Sequence, residues 1–278
     1  MSTKVIALDA GHGMGTAGKR CLKSIDPNQT REWYLNDRIA DIVEAFLAGY
    51  DCRVLRVGDT TGAKDVPLST RTKTANSGKA DFYMSIHHNA GINGGAGGGV
   101  TVHYYASGKS DRAEKARRLY NAVVKQNGLT GNRSQKIVPS SGLYVLKNTN
   151  MPALLLENGF MDSLKDTPII LTQAHAEKTA RGILDFLVAE LKLEKKTSGG
   201  AVEDVTDKVV HLGTYYQAYT GKPTTLSAAL TSLGINSTYA FRKQIAVAND
   251  IRGYVGTAAQ NTQMYNLLKA GLLKRVNT

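Results

Sequence analysis

Two histidines and an acid stand where short apolar runs give out. Residues 5–10 lead into Gly11-His12, residues 82–86 into His87, and residues 154–156 into Glu157. Apolar runs of this length, bounded by Gly, Asn and Pro, read as buried strands. In an open α/β sheet, ligands gather outside the carboxyl ends of the strands. Parallel strands would therefore bring these three side chains to one cleft. Imidazoles and a carboxylate are the donors of a zinc hydrolase site.

Each residue also has a plainer reading. His12, in Asp9-Ala-Gly-His-Gly, could simply follow a strand, although its flanking glycines let backbone approach a bound group closely. His87 and His88 are consecutive, and strand alternation sends at most one of them into a given site. Glu157 follows three leucines, and apolar surroundings raise a carboxyl pKa towards the range of a general base. Glu32, in Thr30-Arg-Glu-Trp-Tyr, opens a helical pattern, where an acid favours the helix dipole. Together they supply a ligand set and a base. His103, His175 and His211 read as structural or exposed. The run at residues 94–99 lacks the Lys-Ser/Thr of a phosphate loop and precedes a strand, so it is expected to form a flexible cleft edge.

The elements that would hold these residues alternate. After the strand at 5–10, residues 35, 39, 42, 43, 46 and 47 fall at helical spacing. Residues 52–57 read as a strand, 69–77 as a helix, 82–86 and 100–105 as strands, 116–124 as a helix, 154–156 as a strand and 176–191 as a helix. This order predicts an α/β fold with a mainly parallel twisted sheet and helices on both faces. A Ser-Gly-Gly stretch places a linker at 195–204. The expected division is thus a catalytic domain over 1–194 and a small, mostly helical module over 205–278.

Composition sets the context. The 278 residues carry a net charge of +12, with 25 Lys/Arg against 19 Asp/Glu over residues 1–194 and 8 against 2 over residues 205–278. The tail is charge-dense and holds six of the 13 tyrosines. A basic, Tyr-rich module suits an anionic, sugar-containing surface, since ring faces stack and phenol hydroxyls hydrogen-bond. No recognisable nucleic-acid motif accompanies the charge. No apolar run approaches the roughly 20 residues of a membrane span, and the first residues lack the apolar core of a secretory signal. Synthesis in a bacterial cytoplasm without export is expected. Cys21 and Cys52 read as free thiols.

Residues 1–190 resemble the zinc-dependent N-acetylmuramoyl-L-alanine amidases of the third amidase family, found in phage endolysins and in wall-remodelling and sporulation enzymes. The resemblance rests on Asp9-Ala-Gly-His-Gly, on Leu68-Ser-Thr-Arg followed by Ala75-Asn76, on Ala80-Asp-Phe-Tyr-Met-Ser-Ile-His-His-Asn-Ala90, and on Pro152-Ala-Leu-Leu-Leu-Glu-Asn-Gly-Phe160. It implies one zinc ion held by His12, Glu32 and His87, with Glu157 as catalytic base. It makes Asn89, Asn158 and His88 candidates for binding substrate. Asp26 lies in the same long stretch as Glu32, but Arg31-Glu-Trp fits a helix start better than Asp26-Pro.

The tail segments Tyr239-Ala-Phe-Arg-Lys-Gln and Gly253-Tyr-Val-Gly-Thr-Ala-Ala-Gln-Asn-Thr262 are similar to wall-binding modules of endolysins from phages of Gram-positive hosts. Tyr239 and Tyr254 are the candidate wall contacts. The resemblance implies peptidoglycan and anionic wall polymers as partners, with no nucleic acid and no membrane insertion. It leaves oligomerisation through the tail possible. A phage lysin acting on the wall after release is the expected role. A mother-cell or autolytic amidase, or a zinc peptidase on wall peptides, are the alternatives.

Overall fold

The computed structural model describes residues 3–107, 111–196, 215–216, 218–249, 251 and 253–276. Six strands form one sheet: β1 (Lys4–Ala10), β2 (Cys52–Arg56), β3 (Phe82–Asn89), β4 (Val100–Tyr105), β5 (Ile137–Ser140) and β6 (Ala153–Phe160), in the order β2-β1-β3-β6-β4-β5. The first four strands of that order run parallel; β4 is antiparallel to β6, and β5 is parallel to β4.

The apolar runs are continuous because both sheet faces are covered. Ile6, Leu8, Met84, Ile86, Leu154 and Leu156 face the larger core, under α1 (Glu32–Leu47), α3 (Arg112–Asn127) and α6 (Gln173–Leu191). The alternate residues Ala7, Tyr83 and Leu155 pack against α2 (Leu68–Ser77) and α4 (Tyr144–Lys147) in a smaller core. The short α5 (Asp166–Ile170) follows β6. This is the predicted α/β architecture with covered faces.

Three elements lack a readable pattern. β5 contains Pro139 and lies at the sheet edge, where a missing amide costs no ladder bond. The helices α4 and α5 span four and five residues, too short to show a period. The glycine run also differs from its expected role. None of residues 94–99 lines the cleft described below. Instead, Gly98 and Gly99, at φ +142 and +103, thread past Gly131, and a Cβ on Gly99 would lie 2.5 Å from Gly131 Cα. Their amides donate to Asn132 Oδ1 (3.0 Å) and Asp166 Oδ2 (2.7 Å), so the run is tied to the loop before β5 and to the start of α5.

The tail forms three helices, α7 (Leu226–Ser232), α8 (Tyr239–Ala248) and α9 (Ala258–Lys269). Thr225, Thr238 and Thr257 cap them, each accepting the amide three residues on. Tyr216, Tyr219, Tyr254, Leu230, Ile245 and Met264 make a separate small core. Tyr215 and Leu272 instead join the larger core.

The module docks on α1 through Lys274. Its Nζ lies 3.4 Å from Asp37 Oδ2 and 4.6 Å from the Trp33 ring centroid, while Asn249 bonds both its amide and its carbonyl. The Tyr34 hydroxyl also donates to Asn249 Oδ1 (3.3 Å). Residues 197–214, which include most of the linker expected at 195–204 and His211, lie outside the described residues. Lys195 bridges to Tyr50, and Lys196 Nζ donates to the Ala48 carbonyl.

Removing one partner of a buried ion pair is costly because the other stays desolvated. Asp37 keeps Arg56, so Lys274→Ala should lower unfolding free energy by about 3 kcal/mol, the low end for such pairs. Urea denaturation reads this directly; a change within 0.5 kcal/mol, as on an ordinary surface site, would mean that the contact does not hold the module. Among the described residues, no helix is long and apolar enough to cross a membrane.

Candidate metal centre and catalytic cleft

Strand alternation decides which side chains meet. Asp9, Ser85, His87, Leu155 and Glu157 lie on the face of the smaller core, because they share the parity of Ala7, Tyr83 and Leu155 on neighbouring strands. His87 and Glu157 are direct partners in the parallel pairing of β3 and β6, so both lie within strands that outrun their apolar stretches. His88 takes the opposite face, buried against α1, with its Nδ1 2.8 Å from Asn36 Oδ1.

His12 follows the end of β1 in the left-handed region, at φ +68. Gly11 before it allows the approach of His87, whose Cε1 would lie 2.0 Å from a Cβ at that position. Glu32 is the first residue of α1, where the helix N-terminus favours a carboxylate.

These residues converge. Glu32 Oε1 is 3.0 Å from His87 Nδ1 and 3.3 Å from His12 Nε2, and one donor atom from each of the three lies within 4.8 Å of the others. Glu32 Oε2 is buried without a hydrogen bond, with Lys19 Nζ 3.6 Å away. Burial alone would raise the Glu32 pKa, but hydrogen bonds from His12 and His87 hold it well below the ordinary carboxylate range. Burial would lower the His87 pKa, and the Glu32 hydrogen bond and charge raise it instead. Glu32 and His87 thus favour positive charge between them. Two imidazole nitrogens and one carboxylate oxygen suit zinc with a position left open, so the donor set fits the ion that the resemblance implies.

Glu157 stands opposite His87 in the same cleft. Burial, ahead of attraction to His87 and repulsion from Glu32, pushes its pKa from 4.5 up to about 7. Its Oε2 is buried with no hydrogen-bond partner. The cleft has a volume of about 490 Å³, walled by the exposed Leu68 and Tyr144 with Lys19 at its rim.

Other expected site residues lie elsewhere. Asn158 is fully buried and donates to the His87 carbonyl (3.1 Å), so it fixes the strand and does not line the cleft. Asn89 accepts the Ala90 amide, and neither it nor His88 lines the cleft. Asp26 closes its own turn by accepting the amides of Asn28 and Thr30. Tyr239 is exposed on the module, whereas Tyr254 is buried, with its hydroxyl between Arg242 and Asn261. His175 is buried and His103 half-buried, and burial takes both pKa values down to about 4.

Sequence reasoning missed Asn36 and gave Arg71 no role. Asn36 is one helical turn after Glu32, the (i, i+4) position on its face, and its amide reaches the Gly11 carbonyl (3.1 Å). Arg71 is buried beneath the cleft and bonds Asp9.

Comparison with known proteins agrees with this geometry. A family model described as N-acetylmuramoyl-L-alanine amidase matches residues 6–189. The chain is 29% identical over 202 residues to the endolysin of Bacillus phage SPP1, covering 72% of this chain and 70% of that protein. It is also 29% identical over 195 residues to the sporulation-specific N-acetylmuramoyl-L-alanine amidase of Bacillus subtilis, covering 70% and 71%. The crystal structure of an N-acetylmuramoyl-L-alanine amidase from Clostridium difficile 630 superposes with a TM-score of 0.60 at 26% identity, over 72% of this chain and all of that one. With the family model spanning well over half its length, this chain belongs to the N-acetylmuramoyl-L-alanine amidase family.

Proposed function

We infer that the chain is a zinc-dependent amidase hydrolysing the bond between the lactyl group of N-acetylmuramic acid and L-alanine in peptidoglycan. One observation carries this reading: three convergent donors share a cleft with a buried carboxyl whose Oε2 is unpartnered. When bound, zinc supplies Lewis acidity towards the scissile carbonyl and lowers the pKa of water. His12, Glu32 and His87 are the residues that would hold it. Glu157 Oε2 accepts the proton of the attacking water as the oxygen bonds to the carbonyl carbon. The same carboxyl then delivers that proton to the leaving alanine nitrogen as the C–N bond breaks.

A base must be unprotonated to act. The acid limb of kcat/KM should therefore fall between pH 4.5, the ordinary glutamate value, and about 7, the value set by burial. A limb governed by a group titrating above pH 8 would assign the base to another residue.

The amidase reading is tested by mass spectrometry of fragments released from purified walls. New L-alanine amino termini, without new reducing sugars, are expected, and their release should stop with chelator. Cleavage between stem amino acids would make the protein a zinc peptidase.

We also infer that residues 205–278 target the wall through their excess of positive charge, and that the protein acts as a phage lysin. The SPP1 endolysin supports this role. The sporulation-specific relative, at the same identity, supports a bacterial amidase of the same chemistry. Intracellular expression tests the lysin role: the host should lyse only when a membrane-permeabilising protein is co-expressed, and lysis without one would contradict that role.

A further inference from the structure

The motif Leu68-Ser-Thr-Arg has no part in the chemistry described so far, yet its arginine makes a dense set of contacts beside the metal donors. Arg71, 1% exposed, donates through Nε to the Val66 carbonyl (2.9 Å). Its Nη1 donates to Asp9 Oδ1 (2.6 Å) and the Ala10 carbonyl (2.7 Å), and its Nη2 to the His12 carbonyl (2.7 Å) and Asp65 Oδ1 (3.1 Å). Asp9, the buried counter-charge, also accepts from Tyr83 and Ser85 hydroxyls, which fixes the guanidinium plane.

The His12 carbonyl belongs to the same peptide unit as the Gly13 amide. That amide donates to Thr16 Oγ1 (3.0 Å), and Thr16 Oγ1 donates to Asp65 Oδ2 (2.7 Å). The circuit closes: Arg71 holds one end of the 12–13 peptide, Thr16 holds the other, and Asp65 joins the two. His12 has a left-handed backbone at φ +68, which a non-glycine residue keeps only when its surroundings over-determine it. A planar fork with five N–H groups can bond several acceptors in fixed directions; an ammonium cannot.

We propose that Arg71 is a positioning residue, whose fork, with Asp65 and Thr16, sets the plane of the His12–Gly13 peptide and so aims His12 Nε2 at Glu32 and His87. The proposal rests on His12 being a metal ligand. Supporting residues around metal ligands typically carry 10–100-fold in affinity.

The test uses full-length protein with Arg71→Lys, which keeps the charge and loses the fork, and Thr16→Val, which removes the amide's partner at a half-buried site. Zinc affinity by chelator competition should weaken about 100-fold in R71K and about 10-fold in T16V. The visible spectrum of the cobalt-substituted protein should change in both. In metal-free protein, Gly13 amide hydrogen exchange should accelerate in both variants. Wild-type zinc affinity and cobalt spectrum in folded R71K and T16V would overturn the proposal, as would unchanged Gly13 exchange. If R71K does not fold, T16V alone decides by the same readouts. If the wild type bound no zinc, the metal reading would fail, and Gly13 exchange would still decide the grip on the peptide.

Discussion

Glu157→Gln should abolish wall hydrolysis while leaving one zinc per chain. A general base contributes about 10²–10⁴ in rate, and this carboxyl is assigned both proton transfers, so a fall in kcat of about 10³-fold or more is expected. Zinc content by mass spectrometry and kcat on purified walls read the two halves together.

A second consequence separates loss of chemistry from loss of fold. The folded-state pKa of Glu157 is raised, from 4.5 to about 7. Folding therefore favours the protonated form. The stability associated with it is fully present below pH 4.5 and is lost as pH rises through about 7. Glutamine does not titrate. In metal-free protein at pH 8, the dead variant should be more stable than the parent, by an amount on the order of 1–3 kcal/mol. A variant that lost activity together with stability would point to a structural role.

The other large effect concerns the ligands. His87→Ala removes a donor whose hydrogen bond also helps to hold Glu32 in its charged, carboxylate form. A direct ligand should exceed the 10–100-fold carried by supporting residues, so zinc affinity should fall more than about 100-fold. Lysis should disappear with it. His88→Gln is the informative companion, since His88 is one residue away, buried under α1 and outside the cleft. It should keep zinc and lose some stability. Equal metal loss in the two variants would mean that strand alternation had been read wrongly.

His12, His87 and Glu157 could be picked out because β1, β3 and β6 are buried on both faces, which writes them as unbroken apolar runs; Glu32, at the start of α1, came from the resemblance. The run does not show where a strand ends. β3 continues to Asn89 and β6 to Phe160, so His87 and Glu157 sit inside the ladder and their pairing holds them side by side. Apolar spacing in the tail reads as a helix over residues 262–270, which misses the start of α9. That helix begins at Ala258, where Thr257 and Gln260 form a capping box, and its first turn has no large apolar residue to mark it.

Hydrogen-bond networks were less legible still. Arg71 is 59 residues from His12 and Asn36 is 52 from His88, and nothing local in either segment records the partner. Lys274 illustrates the same limit. A lysine near a chain end reads as a solvated charge, whereas here Trp33 and Asp37 bury it and fasten the basic module to the helix that begins with Glu32. Of the module's six tyrosines, Tyr215, Tyr216, Tyr219 and Tyr254 are buried, Tyr265 is half-buried and Tyr239 is exposed.

Anomalous diffraction at the zinc edge, from crystals of full-length protein grown with zinc, tests the central claim most directly. One peak is expected in the cleft, touching His12, Glu32 and His87, with the Glu157 carboxyl close by but not bonded to it. A peak held by other residues, or none in this cleft while the protein still cleaves walls, would contradict the account.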